Sequence, residues 1–495
     1  MKRLGLGMGM GRRIGASSSS WKSYWKRVGF SVDSTGAENV AALNAALTKY
    51  RNVKITEPGI YDFDSTIWIP SNTTLTVCTG VTFRKETGSV YCHIIGNKGM
   101  LTNTSDTDIR IYGNGLDLDI NGIDSYSLTD TSICPILRLR SVFQFHQVNN
   151  FIVDKIFENN PDREDQFFMN YSVCHYGKIN DIDSTGAKDN CPVIACTDLD
   201  FTNCNFIASD DAMFLGSGYP NVAVSVDNTE RITLTDCTLG SPALIGGYLT
   251  RCYGAKWGDW TSGKTYHDSE TVLASNGIVY GRGYNTGGNK VASVEPTHLT
   301  GVVTGADGIA WWKMDGSGYT TKVIDVTFKN ITFVNNKGSV VFSKSYDEYK
   351  DEILIDNITF DNISYPVDYD QYIIVVMDLI GSIIIKNSSL TWAVATGRGL
   401  ITYSETHSAI QKLTIDNCNL DLTGVQCVYM GQDYAVLDWL DIKNTTIKGA
   451  ILVNTYTRLN CTFTKLTMTD SEFEFTGGYL QNYGHGCLDG DNALF

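Results

Sequence analysis

A six-residue phrase returns along this chain: an apolar residue, any residue, Asn or Asp, two further residues, and a second apolar residue. It is spelled IVDKIF at Asp154, FTNCNF at Asn203, LTDCTL at Asp236, FKNITF at Asn330, IDNITF at Asn357, IKNSSL at Asn387, IDNCNL at Asn417, IKNTTI at Asn444 and MTDSEF at Asp470. From Asn330 onward the intervals are 27, 30, 30, 27 and 26 residues. So regular a spacing marks a solenoid, because a repeat of this size cannot bury its own inner face and must stack on its neighbours. Apolar and polar residues alternate within the phrase and β-branched residues are frequent, so each repeat supplies short strands and not a pair of helices. The Asn or Asp marks a turn, where its side chain bonds nearby backbone or its own counterpart on the next coil. The expected fold is all-β: a right-handed parallel β-helix with coils about 4.8 Å apart.

Ahead of the repeats, GAENVAALNAALTKY places Val40, Leu43, Ala46 and Leu47 on one helical face. A short helix there covers the open edge of the first coil. From about 241 to 304 the phrase is broken by Gly-, Tyr- and Trp-rich sequence such as KWGDWTSGKTYHDSE, which is expected to leave the coils as an inserted loop region. Residues 29–495 are thus expected to form one β-helix domain.

Residues 1–28 hold Lys2, Arg3, Arg12, Arg13, Lys22, Lys26 and Arg27 and no acid, leaving 32 basic against 54 acidic side chains on the remainder, a charge of −22. An acidic body repels nucleic acid. No apolar run reaches the roughly 18 residues needed to span a bilayer. Arg12-Arg13 is followed by GASSSSWKSYWKRV where an export signal has an apolar stretch, so residues 1–28 are expected to be a flexible basic leader or an anchoring peptide that orders on a partner. The 13 cysteines form no CxxC pairs, and Cys204, Cys237 and Cys418 each follow the Asn or Asp of the phrase, as small buried thiols made in a reducing compartment would.

The stretch AKDNCPVIACTDLDFTNCNFIASDDAMFLGSG carries Asp189, Asp210 and Asp211. With one coil between them, Asp189 and Asp210 are expected to stack on neighbouring rungs, with Asp211 following at the turn. Three carboxylates that close cannot all ionise freely, and a proton donor beside an ionised partner is what glycosidic bond hydrolysis requires.

Two segments bear a family resemblance. The helix followed by Pro58-Gly59-Ile60-Tyr61 resembles the start of the pectin-lyase-like superfamily, and the aspartate stretch is similar to the polygalacturonase family's central region, where an N-T-D segment precedes a D-D pair by about one coil. By that resemblance Asp189 falls on the first aspartate and Asp210 and Asp211 on the pair. DGIAWWKMDGSGYTTKVIDVTFKNITF is similar to the family's R-I-K segment and places Lys313 on its lysine. The resemblance covers roughly residues 149–336 and implies an inverting glycoside hydrolase without a cofactor, in which Asp210 is the general acid while Asp189 and Asp211 hold the water. Two departures are visible: the G-H-G motif meets LGSPALIGG around Pro242, and Trp311 stands at the arginine position. Both family residues handle a sugar carboxylate, so a less charged sugar stacked on Trp311, Trp312, Trp257 or Trp260 is expected, with Lys313 and Arg282 as further substrate-binding residues.

Two other readings fit the same residues. In a polysaccharide lyase the aspartates would bind calcium and Lys313 or Arg282 would be the base. In a non-catalytic carbohydrate-binding β-helix they would bond sugar hydroxyls or turn backbone. A sugar-cleaving β-helix without an export signal and with reduced thiols is expected outside the cell or on a virion, as a phage tailspike depolymerase docked through residues 1–28; the homotrimeric state follows from that resemblance alone.

Overall fold

The computed structural model describes residues 30–89, 93–123, 141–159, 167–187, 189–216, 227–241, 250–256, 258–267, 270–282, 289–300, 302–314, 320–334, 339–344, 352–365, 372–391, 399–455, 461–475 and 480–481. The expected leader, Pro242 and Trp257 lie outside them.

The coils are stacked parallel strands in one 19-stranded and one 16-stranded sheet. A coil has three faces, seen in His175–Asn180, Asp183–Thr185 and Cys191–Ile194, each paired in parallel with its counterpart 22 residues on. Inward residues of the first face form one uninterrupted apolar column, Val153, Ile179, Phe201, Leu234, Phe328, Phe360 and Ile385, every one fully buried. Like stacks on like where shape allows: the Phe328 and Phe360 rings lie 5.0 Å apart at 8°. Each coil contributes little alone, and the stack removes the apolar surface from water.

Helix Gly36–Lys49 sits at the first coil, held at its start by a capping box of Thr35 and Glu38. Leu43, Ala46 and Leu47 face the core as expected, with Val40 partly buried against it. Two asparagines do for the first coil what a preceding coil would do. Asn39 Nδ2 donates to the Asp62 carbonyl, while Asn44 donates to the Thr66 carbonyl and accepts from the Trp68 N–H at 2.8 Å. The open strand edge is thereby paired and covered.

The phrase asparagines turn the chain from the first face to the second in the left-handed region, where Asn and Asp are tolerated best. Seven of the nine, Asn203, Asp236, Asn330, Asn387, Asn417, Asn444 and Asp470, have φ between 47° and 56° and occupy this corner. Two expectations are corrected. In the coil of Asp154 the corner is Lys155, one residue on, and in the coil of Asn357 it is Asn362, whose amide bonds Asn330 at 2.9 Å. Asn357 instead belongs to a second left-handed column with Asp198, Arg231 and Asp325 at a bend near the start of the first face. Asn387 donates to Asp361 at 2.7 Å and accepts from Asn417 at 2.8 Å. Asn387→Ala is therefore expected to cost about 1–2 kcal/mol in chemical denaturation, from lost bonds plus left-handed strain, with turnover at low temperature unchanged.

The insertion starts and ends later than the sequence suggested. Thr250–Lys256 is a rung of the third face, paired with Met213–Gly216 and Val340–Lys344. The chain leaves the coil after it and returns through an antiparallel neck, Ala255 with Thr321 and Lys256 with Thr320. Between lies a five-stranded sheet, in the order Gly258–Asp259, Thr271–Leu273, Val279–Arg282, Ala310–Lys313, Val302–Thr304, with a small core of its own. The described cysteines are free thiols, nine of the ten buried, Cys204, Cys237 and Cys418 among them. Among the described residues no helix is long and apolar enough to cross a membrane.

Candidate functional site

Asp189, Asp210 and Asp211 lie in the turns between the second and third faces of two consecutive coils. Asp189 sits between strands Asp183–Thr185 and Cys191–Ile194, and the other two between Asn205–Ile207 and Met213–Gly216. Each offers a carboxylate oxygen, and these oxygens lie within 4.8 Å of one another. The stacking differs from expectation: Asp211, not Asp210, stands on Asp189, because Cys191 pairs with Met213 and the offset of 22 residues carries back to the turn. The Asp211 N–H donates to Asp189 Oδ1 at 3.1 Å. Asp211 is 3% exposed, whereas Asp189 and Asp210 are half-buried, so two of the three carboxylates are open to a ligand.

Backbone bonds hold both turns. The Asp189 carbonyl accepts from the Phe168 N–H at 3.2 Å, the Ala187 carbonyl from the Ser209 N–H at 2.8 Å, and the Asp210 carbonyl from Ser241 Oγ at 3.0 Å. The trio is fixed by coils on both sides. Chemically, it can share a proton, hold a water, or take a hard cation.

The other expected residues are not brought into a visible sugar platform. Trp311, expected to stack on substrate, is 1% exposed in the core of the inserted sheet, edge-on to Tyr266 at 5.3 Å. Arg282 is fully buried and donates to the Tyr266 carbonyl. An inserted sheet with its own core needs large buried side chains, and these two supply them; neither has a face for a ligand. Lys313 and Trp312 are half-buried on Ala310–Lys313, antiparallel to Val279–Arg282, so the R-I-K likeness falls on the insertion and not on a coil. Lys313 Nζ donates to the Met314 carbonyl at 3.4 Å. Trp260 is half-buried against the same small core.

Sequence reasoning missed a polar group directly behind Asp189. Ser184 Oγ lies 2.7 Å from Asn190 Oδ1 and 2.9 Å from Glu158 Oε2, and Asn190 Nδ2 donates to the Ser184 carbonyl at 3.3 Å. The only trace in the sequence is Asn190 beside Asp189 at the edge of the apolar run CPVI.

No family model matches the chain, and no curated protein matches it. Among solved structures it is similar to a mutant tailspike protein of E. coli bacteriophage HK620 in complex with a pentasaccharide, at TM-score 0.50 and 12% identity over 91% of this chain and 77% of that one. A further mutant of the same tailspike, in complex with a hexasaccharide, gives 0.47 and 11% over 89% and 76%. The fold that these coils build is an all-β parallel β-helix of the tailspike kind.

Proposed function

We propose that the chain is a polysaccharide depolymerase that hydrolyses glycosidic bonds with Asp210 as proton donor and Asp189, backed by Asp211, as the holder of the attacking water. The observation that carries this reading is the trio itself: three carboxylates with oxygens within 4.8 Å, two of them open and one buried. Fold analogy supports a glycan as substrate, since the HK620 tailspike is a sugar complex on a related β-helix. An inverting course is part of the proposal, with the water bonded by Asp189 and with Asp211 stacked behind that residue. The nearest oxygens are closer than the roughly 6.5–9.5 Å usual for an inverting pair and nearer the roughly 5–5.5 Å of a retaining one, so the anomer of the first product is the measurement that decides. A product of unchanged configuration would make Asp189 the nucleophile.

The test is digestion of bacterial surface polysaccharides with mass spectrometry of the products. Hydrolysis adds one water per cleavage and gives no ultraviolet-absorbing double bond. The compact trio also favours a second reading, a hard cation on the three carboxylates of a lyase. Loss of activity on chelation, with unsaturated products, selects it; retention of polysaccharide without any fall in chain length selects the non-catalytic binder. As a virion-borne depolymerase the chain would dock through residues 1–28, as a trimer by the tailspike analogy.

A further inference from the structure

We propose that Glu158, Ser184 and Asn190 form a brace that positions Asp189, an inference that rests on the hydrolase reading above. The three side chains are at most 3% exposed and span two coils. Glu158 lies on the second face of one coil next to its last residue, Ser184 pairs with it on the next, and Asn190 directly precedes that coil's third-face strand. The hydroxyl of Ser184 lies within hydrogen-bond distance of Glu158 Oε2 and Asn190 Oδ1 and gives its one proton to either, and the Asn190 amide donates to the Ser184 carbonyl. The turn between Ser184 and Asn190 is the one that carries Asp189. It contains Gly186 at φ 102°, a conformation that side chains rarely adopt, so local sequence alone does not make it stiff.

The brace is not a habit of the repeat. On the second face Ser184 pairs with Glu158 on one side and Phe206 on the other, followed by Leu239. On the preceding coil Asp117 pairs with Phe157, which sets Leu118 beside Glu158. On the third face Asn190 stands between Phe168 and Ala212, both fully buried. Apolar residues occupy these columns in the neighbouring coils, and the polar exception falls on the coil of Asp189. Burying three polar groups where neighbours bury hydrocarbon is costly unless every bond is made, and adds little net stability even then. What it adds is a fixed place for the backbone of Asn190, whose N–H donates to the Asp211 carbonyl at 3.0 Å and whose carbonyl accepts from Met169 at 2.9 Å. Asp189 Oδ1 is thereby held against the Asp211 N–H.

The experiment compares wild type, Ser184→Ala, Ser184→Thr and the apolar triple variant Glu158→Leu, Ser184→Ala, Asn190→Ala. Two readouts are used: steady-state kinetics, and amide hydrogen exchange of the peptide containing Asp211. Ser184→Ala is expected to lower kcat about 10- to 100-fold with KM within about twofold, and to speed exchange at the Asp211 amide about tenfold or more. Ser184→Thr, which keeps the hydroxyl, restores most of both. The triple variant melts near the wild-type temperature yet stays slow, a split that a merely structural role does not give. Wild-type turnover in a folded triple variant overturns the proposal; if that variant does not fold, unchanged kcat and unchanged Asp211 exchange in Ser184→Ala overturn it equally. A wild-type protein without hydrolytic activity refutes the hydrolase, and the exchange readout then judges the brace by itself.

Discussion

Asp210→Asn is expected to lower turnover on the cognate polysaccharide by about 10²- to 10⁴-fold while leaving sugar binding nearly unchanged, because the amide keeps the shape and cannot deliver a proton. Asp189→Asn and Asp211→Asn are expected to lower turnover as well. The first removes a carboxylate that is open to the ligand, and the second removes the buried one stacked on it. The three losses do not add, since the groups lie within 4.8 Å of one another and act as a set. Asp438→Asn is the control: that residue is exposed on a distant coil and accepts a long bond, 3.5 Å, from Thr464. Single-turnover and steady-state rates measured with Kd for a non-cleaved oligosaccharide separate chemistry from binding. A wild-type protein that cleaves no faster than Asp210→Asn ends the hydrolase reading, and the trio is then a feature of two turns in a sugar binder.

Mild acid is expected to weaken the fold through one internal histidine. His146 closes the third face of a coil, 1% exposed, with Nδ1 2.9 Å from Ser172 Oγ and, among the described residues, no hydrogen-bond partner for Nε2. Burial disfavours its charged form and lowers its pKa from 6.5 to about 4. Between those values the unfolded chain binds a proton that the folded chain does not. The contribution is whole above pH 6.5 and is lost as the pH falls toward 4, a change of about 3 kcal/mol. Other groups titrate in the same window, so the measurement is the difference between wild type and His146→Gln in denaturant titrations at pH 7 and pH 4. The glutamine variant is expected to lose the histidine's share of the slope; equal slopes in both proteins would mean that His146 is reached by water.

The coils were legible in the sequence because their signal is short-range. An Asn or Asp at a left-handed corner is flanked by apolar residues within three positions, and seven of nine such residues occupy that corner. Asn357 was misplaced because a second bend five residues before Asn362 meets the same local rule, and register alone separates the two columns. The aspartates were legible as a cluster through their spacing, but not their stacking, which depends on where each third-face strand begins. Trp311 and Arg282 misled because an aromatic-rich insertion reads the same whether its rings line a ligand cleft or fill a core; Tyr266 against Trp311 shows the second. The brace was invisible because Glu158, Ser184 and Asn190 share no motif and meet only across coils.

Every coil rests on the one before it, so the order of synthesis is also an order of assembly. The hydrogen bonds described for the trio and its surroundings run from Glu158 to Ser241. On a ribosome adding roughly 5–20 residues per second, the second half of the chain takes about 10–50 s to follow. Stacking of a coil on a finished neighbour is far faster than that. Coils that stack as they emerge would bring these partners together first, and would offer the later coils a finished edge to build on.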